Sequence, residues 1–186
     1  MVVTTMGIVR PWGKYSRSEF DFASADSAMG HAADLALGVA LAQPKRKVIC
    51  LNGDGSMLMA LGFLATIVQT AATNLILFVV QNDTYEITGN QPLPGAGQVD
   101  FVTIARGAGF SRSYLFEDIT DYIEKLPEVL EGEGPVFVTV KVQAGSDGPL
   151  SRSQEEEAPY LRPSLAESAH RLRKILKPLA VDPELE

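Results

Sequence analysis

The sequence has 186 residues, enough for one α/β domain with extensions, and 46% of them are hydrophobic. Its 16 basic and 23 acidic residues give a net charge of −7, which argues against a nucleic-acid surface because phosphate binding needs clustered lysine and arginine. The single cysteine, Cys50, excludes a disulfide framework or an iron–sulfur cluster held by this chain alone.

Apolar patterning along the chain predicts strands that alternate with helices. Strands are predicted weakly over 2–5 and 8–9 and clearly over 47–52, 75–80, 113–116 and 135–142, and helices over 28–42, 56–72, 100–108 and 117–131, with a long polar loop over 81–98. The run LILFVV is continuous, as expected for a parallel strand covered on both faces. We therefore predict an α/β fold, an open parallel sheet with helices on both faces.

The composition changes near Gln143, after which the chain is polar, acidic and proline-containing. We predict one domain over residues 1–143 and a polar C-terminal extension over 144–186 that carries one helix, 164–176. The N-terminus lacks an apolar core of signal-peptide length, and the sequence has no run of about 18 uninterrupted apolar residues that could span a membrane. The expectation is a cytoplasmic protein that does not contact membranes.

Polar residues follow two predicted strands at the points where those strands end. Gly53-Asp54-Gly55-Ser56 comes directly after the first, and Asn82 comes after the second, one helix and one strand later. In a parallel sheet this interval brings the two loops side by side at the edge where ligands bind. Carboxylate, amide and carbonyl oxygens suit Mg²⁺ or Ca²⁺, and glycines let backbone N–H groups approach a phosphate. The site is predicted to bind a metal together with a diphosphate.

The motif differs from two common phosphate-binding patterns. No Gly-Lys-Ser/Thr follows it, as a Walker loop requires, and it is not the Gly-x-Gly-x-x-Gly fingerprint. Gly-Asp-Gly alone is compatible with an ordinary turn in a flavodoxin-like domain. The strand before it and the asparagine after the next strand make the metal-diphosphate interpretation the stronger one.

GDGS followed by QNDTY resembles the thiamine diphosphate motif of thiamine-dependent decarboxylases and synthases, which begins Gly-Asp-Gly and ends Asn-Asn after a similar interval. The stretch SAMGHAADLALG resembles the family's Gly-Ser-Met-Gly-His-Ala helix start. Together the resemblance covers about residues 24–142 and implies the diphosphate-binding fold of that family. Gln81 stands where the family has the first asparagine of its pair, a position that is usually not the metal ligand.

The resemblance implies a set of site residues. The Mg²⁺ ligands would be Asp54, Asn82 and the Thr84 main-chain carbonyl; the cofactor-binding residues would be Ser27, Ala28, Met29, Gly30, His31, Gly53, Asp54, Gly55, Ser56, Asn82, Thr84, Tyr85, Glu86 and Ile87. Met29 would be the apolar residue that bends the cofactor. His31 follows it and is the candidate catalytic residue, although a structural helix histidine fits the same position.

The combination of MGHA, GDGSMLMALGFLATI and YEITGNQ resembles the sulfopyruvate and phosphonopyruvate decarboxylase group, and in particular its β subunit. Relatives usually read Thr-Gly-Gly-Gln where this chain has Thr88-Gly89-Asn90-Gln91. The implied activity is decarboxylation of a small 2-oxo acid with thiamine diphosphate and Mg²⁺.

Thiamine catalysis in this family needs a glutamate on a separate pyrimidine-binding domain, and 186 residues leave no room for a second α/β unit. The resemblance therefore implies an α-type partner subunit that carries the glutamate, with self-association through the same fold also expected. Three alternatives stay open: a β-type subunit of an acetolactate-synthase-like enzyme, one of a 2-oxo acid oxidoreductase, or a non-catalytic cofactor-binding protein.

Overall fold

The computed structural model describes residues 1–25, 29–146 and 148–176. Its strands are β1 Val2–Thr4, β2 Asp21–Ala23, β3 Val48–Gly53, β4 Leu75–Gln81, β5 Thr84–Tyr85, β6 Gln91–Pro92, β7 Arg112–Phe116 and β8 Val136–Lys141. Its α-helices are α1 Val9–Tyr15, α2 Ala32–Ala42, α3 Asp54–Met59, α4 Phe63–Thr70, α5 Phe101–Ala108, α6 Ile119–Glu131 and α7 Leu165–Leu176. Short 3₁₀ helices cover Met6–Ile8, Glu86–Thr88 and Pro159–Leu161.

Six strands form one sheet in the order β2-β1-β3-β4-β8-β7, and every pairing in it is parallel. Alternate residues of the central strand β4 enter different cores. Leu77 packs in the core that contains α2, α4 and α5, whereas Phe78 packs in the core on the α6 side. Because successive side chains of a strand point to opposite faces, helices cover both faces of the sheet. The predicted fold class is confirmed.

Burial explains why the central strands read as continuous apolar runs. Leu75, Ile76 and Leu77 are each no more than 1% exposed, and Cys50 in β3 is fully buried. Burial raises the pKa of the Cys50 thiol, so this cysteine is a small apolar core residue with little thiolate character. Among the described residues, none of the helices is both long and apolar enough to cross a membrane.

Several local predictions were wrong. Residues 8–9, given a weak strand signal, lie in helical structure, and the predicted strand set lacked β2. The single helix expected over 56–72 is two helices, because Ala60 leaves the helical region with φ −139° and Gly62 follows it. The loop over 81–98 contains an antiparallel hairpin, β5 with β6.

The segment beyond residue 143 returns to the sheet in its described parts. Ala158 and Leu161 are buried against Val9 of α1 and Ala23 of β2. The Arg10 guanidinium donates to both carboxylate oxygens of Glu156, at 3.1 to 3.3 Å. The division into a domain and an extension at 143 stays a prediction.

Candidate functional site

The predicted residues of the two polar loops lie at the carboxyl ends of β3 and β4, as expected. These strands pair in parallel from Val48 opposite Leu75 to Gly53 opposite Val80, so the residues that follow them are neighbours. Asp54 is the first residue of α3, two positions earlier than the predicted helix start at Ser56. Asn82 comes directly after β4.

Asp54 joins the two loops. The residue is 2% exposed. Oδ2 accepts from the backbone N–H groups of Asn82 at 2.9 Å and Asp83 at 2.6 Å, and Oδ1 accepts from Gly55 N–H at 2.8 Å. Burial raises the pKa of Asp54, and these three N–H donors oppose that rise. The carboxylate therefore sits in a closed part of the site, oriented by backbone donors from both loops.

The side chain of Asn82 is held at both ends. Its Oδ1 accepts from Thr84 N–H at 3.1 Å, and its Nδ2 donates to Glu86 Oε2 at 2.8 Å. Gln81, the departure from the family pattern, is 4% exposed and donates through Nε2 to Asp83 Oδ1 at 3.0 Å. Gln81 thus supports the loop from behind, which is consistent with its position not being a metal ligand.

Close approach explains one glycine of the motif. A Cβ at Gly55 would lie 2.8 Å from the Tyr85 ring. Gly30 has φ +84°, and a Cβ there would meet the Met59 side chain at 2.9 Å.

The hydroxyl oxygen of Ser56 is buried and has no hydrogen-bond partner within the described residues. An unused hydroxyl donor beside tightly packed glycines is the arrangement that an anionic ligand group would complete.

These residues surround a cavity of about 360 Å³. The predicted residues that line it are Met29, Gly30, Gly53, Asp54, Gly55, Ser56, Asn82, Thr84, Tyr85, Glu86 and Ile87. Further lining comes from the segments after β1 and β8, from α1, α3 and β4, and from the 3₁₀ helix Glu86–Thr88. These residues are Met6, Gly7, Ile8, Pro11, Met59, Val80, Thr88, Val142, Gln143 and Gly145. The cavity lies outside the carboxyl ends of four adjacent strands, β1, β3, β4 and β8, where α/β sheets bind ligands.

The lining from the segments after β1 and β8 was not among the predicted site residues. The signal that identifies them is topological, because it depends on β1 and β8 flanking the central pair of strands. Recognising the weakly predicted β1 as a strand next to β3 would have placed Met6 and Ile8 at the site.

His31 lies outside this cavity. It precedes α2, its Nδ1 is 2.5 Å from Asp34 Oδ2, and its ring meets Phe63 edge-on at 6.3 Å between centroids. It lines a second opening, a groove between α2 and α7. The structure thus separates His31 from the other predicted site residues, and its catalytic role stays a prediction. Ser27 and Ala28, two predicted cofactor contacts, lie outside the described residues.

The oxygen groups at the cavity are of the kind that Mg²⁺ takes: one buried carboxylate, one amide oxygen and nearby main-chain carbonyls. Within the described ranges, no three or more His, Cys, Asp or Glu side chains form a metal cluster. The predicted set of Asp54, Asn82 and Thr84 contains only one such residue. A metal site built from this set would be of a different kind, in which amide and carbonyl oxygens supplement a single charge.

The comparisons with a family model and with known proteins agree with each other. The model of the family "Thiamine pyrophosphate enzyme, C-terminal TPP binding domain" matches residues 5–140. A phosphonopyruvate decarboxylase of Streptomyces viridochromogenes is 34% identical over 161 residues, which are 83% of this chain and 40% of that protein. A sulfopyruvate decarboxylase subunit beta of Methanothermobacter thermautotrophicus is 36% identical over 130 residues, 69% of this chain and 66% of that subunit.

A solved structure of an enzyme from Mycobacterium smegmatis, assigned to the thiamin diphosphate-dependent class, has a TM-score of 0.60. It shares 21% identity, covers 81% of this chain and is itself covered over 29%, so it supports the fold alone. The chain spans 40% of the length of its Streptomyces relative. The family match and the motif geometry agree, and the chain belongs to the thiamine pyrophosphate enzymes through their C-terminal TPP-binding domain.

Proposed function

We propose that this chain is the Mg²⁺- and thiamine diphosphate-binding subunit of a 2-oxo acid decarboxylase of the sulfopyruvate or phosphonopyruvate type. The observation that carries the proposal is the convergence of Asp54, Asn82 and the unpartnered Ser56 hydroxyl on one cavity at the strand ends. The relatives' names supply the reaction class. A cytoplasmic location and self-association through the same fold are part of the proposal.

The metal would be held by oxygens of Asp54, Asn82 and the Thr84 main chain. Gly55 and Ser56 would bind the diphosphate, and Met29 and Ile87 would contact the rest of the cofactor. When bound, thiamine diphosphate supplies a nucleophilic carbon that adds to a ketone and an electron sink for loss of CO₂. This chain's contribution is to bind and orient the cofactor and, with Met29, Met59 and Ile87 along the cavity, to limit access of water.

The glutamate that acts on the aminopyrimidine is assigned to an α-type partner. Among the described residues that line the cavity, Glu86 is the one glutamate, and its Oε2 is already hydrogen-bonded to Asn82 Nδ2 at the metal end. The name "subunit beta" of the Methanothermobacter relative supports a second subunit. We propose that the cofactor is bound between this chain and that partner, with a small 2-oxo acid as substrate.

The test is to isolate the chain from its own cells with Mg²⁺ and thiamine diphosphate present, identify the co-purifying chain, and assay the complex. The substrates are sulfopyruvate, phosphonopyruvate and pyruvate, and the separated chain is the control. We expect a pyrimidine-domain partner and formation of CO₂ with the corresponding aldehyde from the complex only. Acyl-CoA or an acetohydroxy acid as the product would contradict the decarboxylase assignment. Recovery of this chain alone, without activity, would contradict the two-subunit enzyme.

A further inference from the structure

The segment that follows β8 runs along the edge of the cavity, and several hydrogen bonds hold it there. We call residues 142–146 the rim segment; Val142, Gln143 and Gly145 line the cavity. Val142 N–H donates to the Gln81 carbonyl at 2.9 Å, in continuation of the strand pairing. Further on, both backbone polar groups of Gly145 bond to side chains of the loop after β4. Its N–H donates to Glu86 Oε2 at 3.1 Å, and its carbonyl accepts from Asn90 Nδ2 at 3.0 Å.

The same oxygen of Glu86 also accepts a hydrogen bond from Asn82, the proposed metal ligand. Glu86 Oε2 accepts from Asn82 Nδ2 at 2.8 Å as well as from Gly145 N–H. A carboxylate acceptor at the NH₂ end of an amide favours the orientation in which the amide oxygen faces the other way. Here that oxygen is Asn82 Oδ1, which faces Thr84. Groups that orient a metal ligand in this way commonly affect the affinity for the metal.

Packing around Glu86 and Asn90 fits this connection. A Cβ at Gly145 would lie 2.6 Å from Glu86 Oε1, so the rim segment approaches the carboxylate as closely as a glycine allows. Asn90 has φ +58°, a left-handed conformation that asparagine adopts more readily than most residues. Its Oδ1 also accepts from Thr84 Oγ1 at 3.0 Å. Relatives usually have glycine at position 90. The asparagine of this chain therefore adds a side chain that hydrogen-bonds to the rim segment.

We infer that Glu86 is a positioning residue that couples the ordering of the rim segment to cofactor binding. This inference rests on the proposed function, since Asn82 must be a ligand of the cofactor's metal. Binding of Mg²⁺ and thiamine diphosphate fixes Asn82, Asn82 fixes Glu86, and Glu86 holds Gly145. Coupling between two equilibria is reciprocal, so loosening the rim segment weakens cofactor binding as much as the cofactor tightens the rim segment.

Three variants separate the contributions. Glu86→Ala removes the shared acceptor, and we expect roughly 10- to 100-fold weaker cofactor affinity, the range typical of residues that orient a metal ligand. Glu86→Gln keeps one acceptor oxygen and is expected to recover part of that loss. Asn90→Gly suits the backbone angle and removes one bond to the rim segment without removing the Glu86 contact. A loss of about two- to tenfold, typical of one hydrogen bond, is expected.

The matched control is Glu117→Gln. Glu117 is an exposed glutamate paired with Lys141, the last residue of β8, at 2.5 Å, so it touches the strand just before the rim segment. Its partner in the described part of the chain is Lys141 and not Asn82. We expect its cofactor affinity and its rim-segment behaviour to match the unaltered protein.

The experiment uses the full chain together with the subunits that co-purify with it. Calorimetry measures thiamine diphosphate affinity at saturating Mg²⁺, and hydrogen–deuterium exchange follows a peptide that covers 142–146 with and without cofactor. In the unaltered protein the cofactor should slow exchange of the rim segment. In Glu86→Ala this protection should disappear along with the affinity; if that variant does not fold, Glu86→Gln gives the same comparison at smaller amplitude.

Two results overturn the coupling alone: Glu86 variants that bind the cofactor like the control, or an unaltered protein that binds the cofactor without any change in rim-segment exchange. Failure of the unaltered protein to bind Mg²⁺ and thiamine diphosphate overturns the proposed function and the coupling with it. Calorimetry on the unaltered protein therefore distinguishes failure of the proposed function from failure of the coupling alone.

Discussion

Two openings adjoin the start of α2, and adjacent residues line different ones. Met29 and Gly30 line the cavity at the strand ends, whereas His31 lines the groove between α2 and α7. The groove is the larger, about 820 Å³ against 360 Å³. Yet the cavity lies at the ends of four adjacent strands and contains the motif residues, whereas the groove is formed largely by residues of two helices, such as Leu35 and Leu172. Position at the strand ends, more than volume, distinguishes the candidate site.

The largest effect is expected from Asp54→Ala. This change removes the proposed charged metal ligand and the acceptor of three backbone N–H groups, so both the metal and the loop geometry are lost. We expect Mg²⁺-dependent thiamine diphosphate affinity to fall by more than about 100-fold, beyond the range for residues that only orient a ligand. Calorimetry with and without Mg²⁺ measures it.

The control for that change is Asp83→Asn, at the adjacent carboxylate. Asp83 has φ +61°, which asparagine tolerates, and its Oδ1 bonds to Gln81. We expect its cofactor affinity to stay within about threefold, as for loss of less than one strong hydrogen bond. Equal losses in both variants would mean that general disruption of the loop, and not ligation by Asp54, explains the first result.

A smaller effect is expected from Gly55→Ala, with Gly62→Ala as its matched control outside the cavity lining. A Cβ at Gly55 would press on the Tyr85 ring, whereas a Cβ at Gly62 would meet nothing within 4 Å, and Gly62 has an ordinary helical conformation with φ −59°. Overpacking costs about 1–3 kcal/mol, so we expect roughly tenfold weaker cofactor binding for Gly55→Ala and little change for Gly62→Ala. Equal losses in the two variants would mean that close packing against Tyr85 is not the reason for the motif glycine.

The smallest effect is expected from His31→Ala, which tests whether a residue of the groove contributes to cofactor binding. Its ring lies in the groove beside Asp34 and meets Phe63 edge-on, so we expect cofactor affinity within about twofold of the unaltered protein. Met29→Ala, in the cavity, should lower the affinity measurably. The kcat of the complex at saturating cofactor is the second readout. A large fall in kcat for His31→Ala with unchanged affinity would support the catalytic prediction for His31 and would mean that the groove takes part in the reaction.

The placement of Asp54 and Asn82 was predictable because the site lies at the ends of adjacent parallel strands. An apolar run ending in polar residues marks such a position in the sequence, and the interval between the two loops indicates adjacency. The sheet itself was predictable for a similar reason, since buried strands such as β4 are apolar throughout.

Other features depend on tertiary structure that local patterns do not encode. His31 is one residue from Gly30, but the turn with φ +84° at Gly30 precedes α2 and directs the next side chain to a different opening. The rim segment reaches the cavity only because β8 pairs beside β4, and the contacts of Gly145 with Glu86 and Asn90 span 59 and 55 positions in the chain. Long-range pairing of this kind has no signature in composition or periodicity.

The buried cysteine has a practical consequence. Cys50 lies in the middle of β3, the strand whose end delivers Asp54, and its thiol is fully buried. Alkylating reagents attack only an accessible thiolate, so modification of this chain requires β3 to open. The rate of Cys50 alkylation therefore reports how often the strand that supports the cofactor site opens. Any ligand that stabilises that strand will lower this rate.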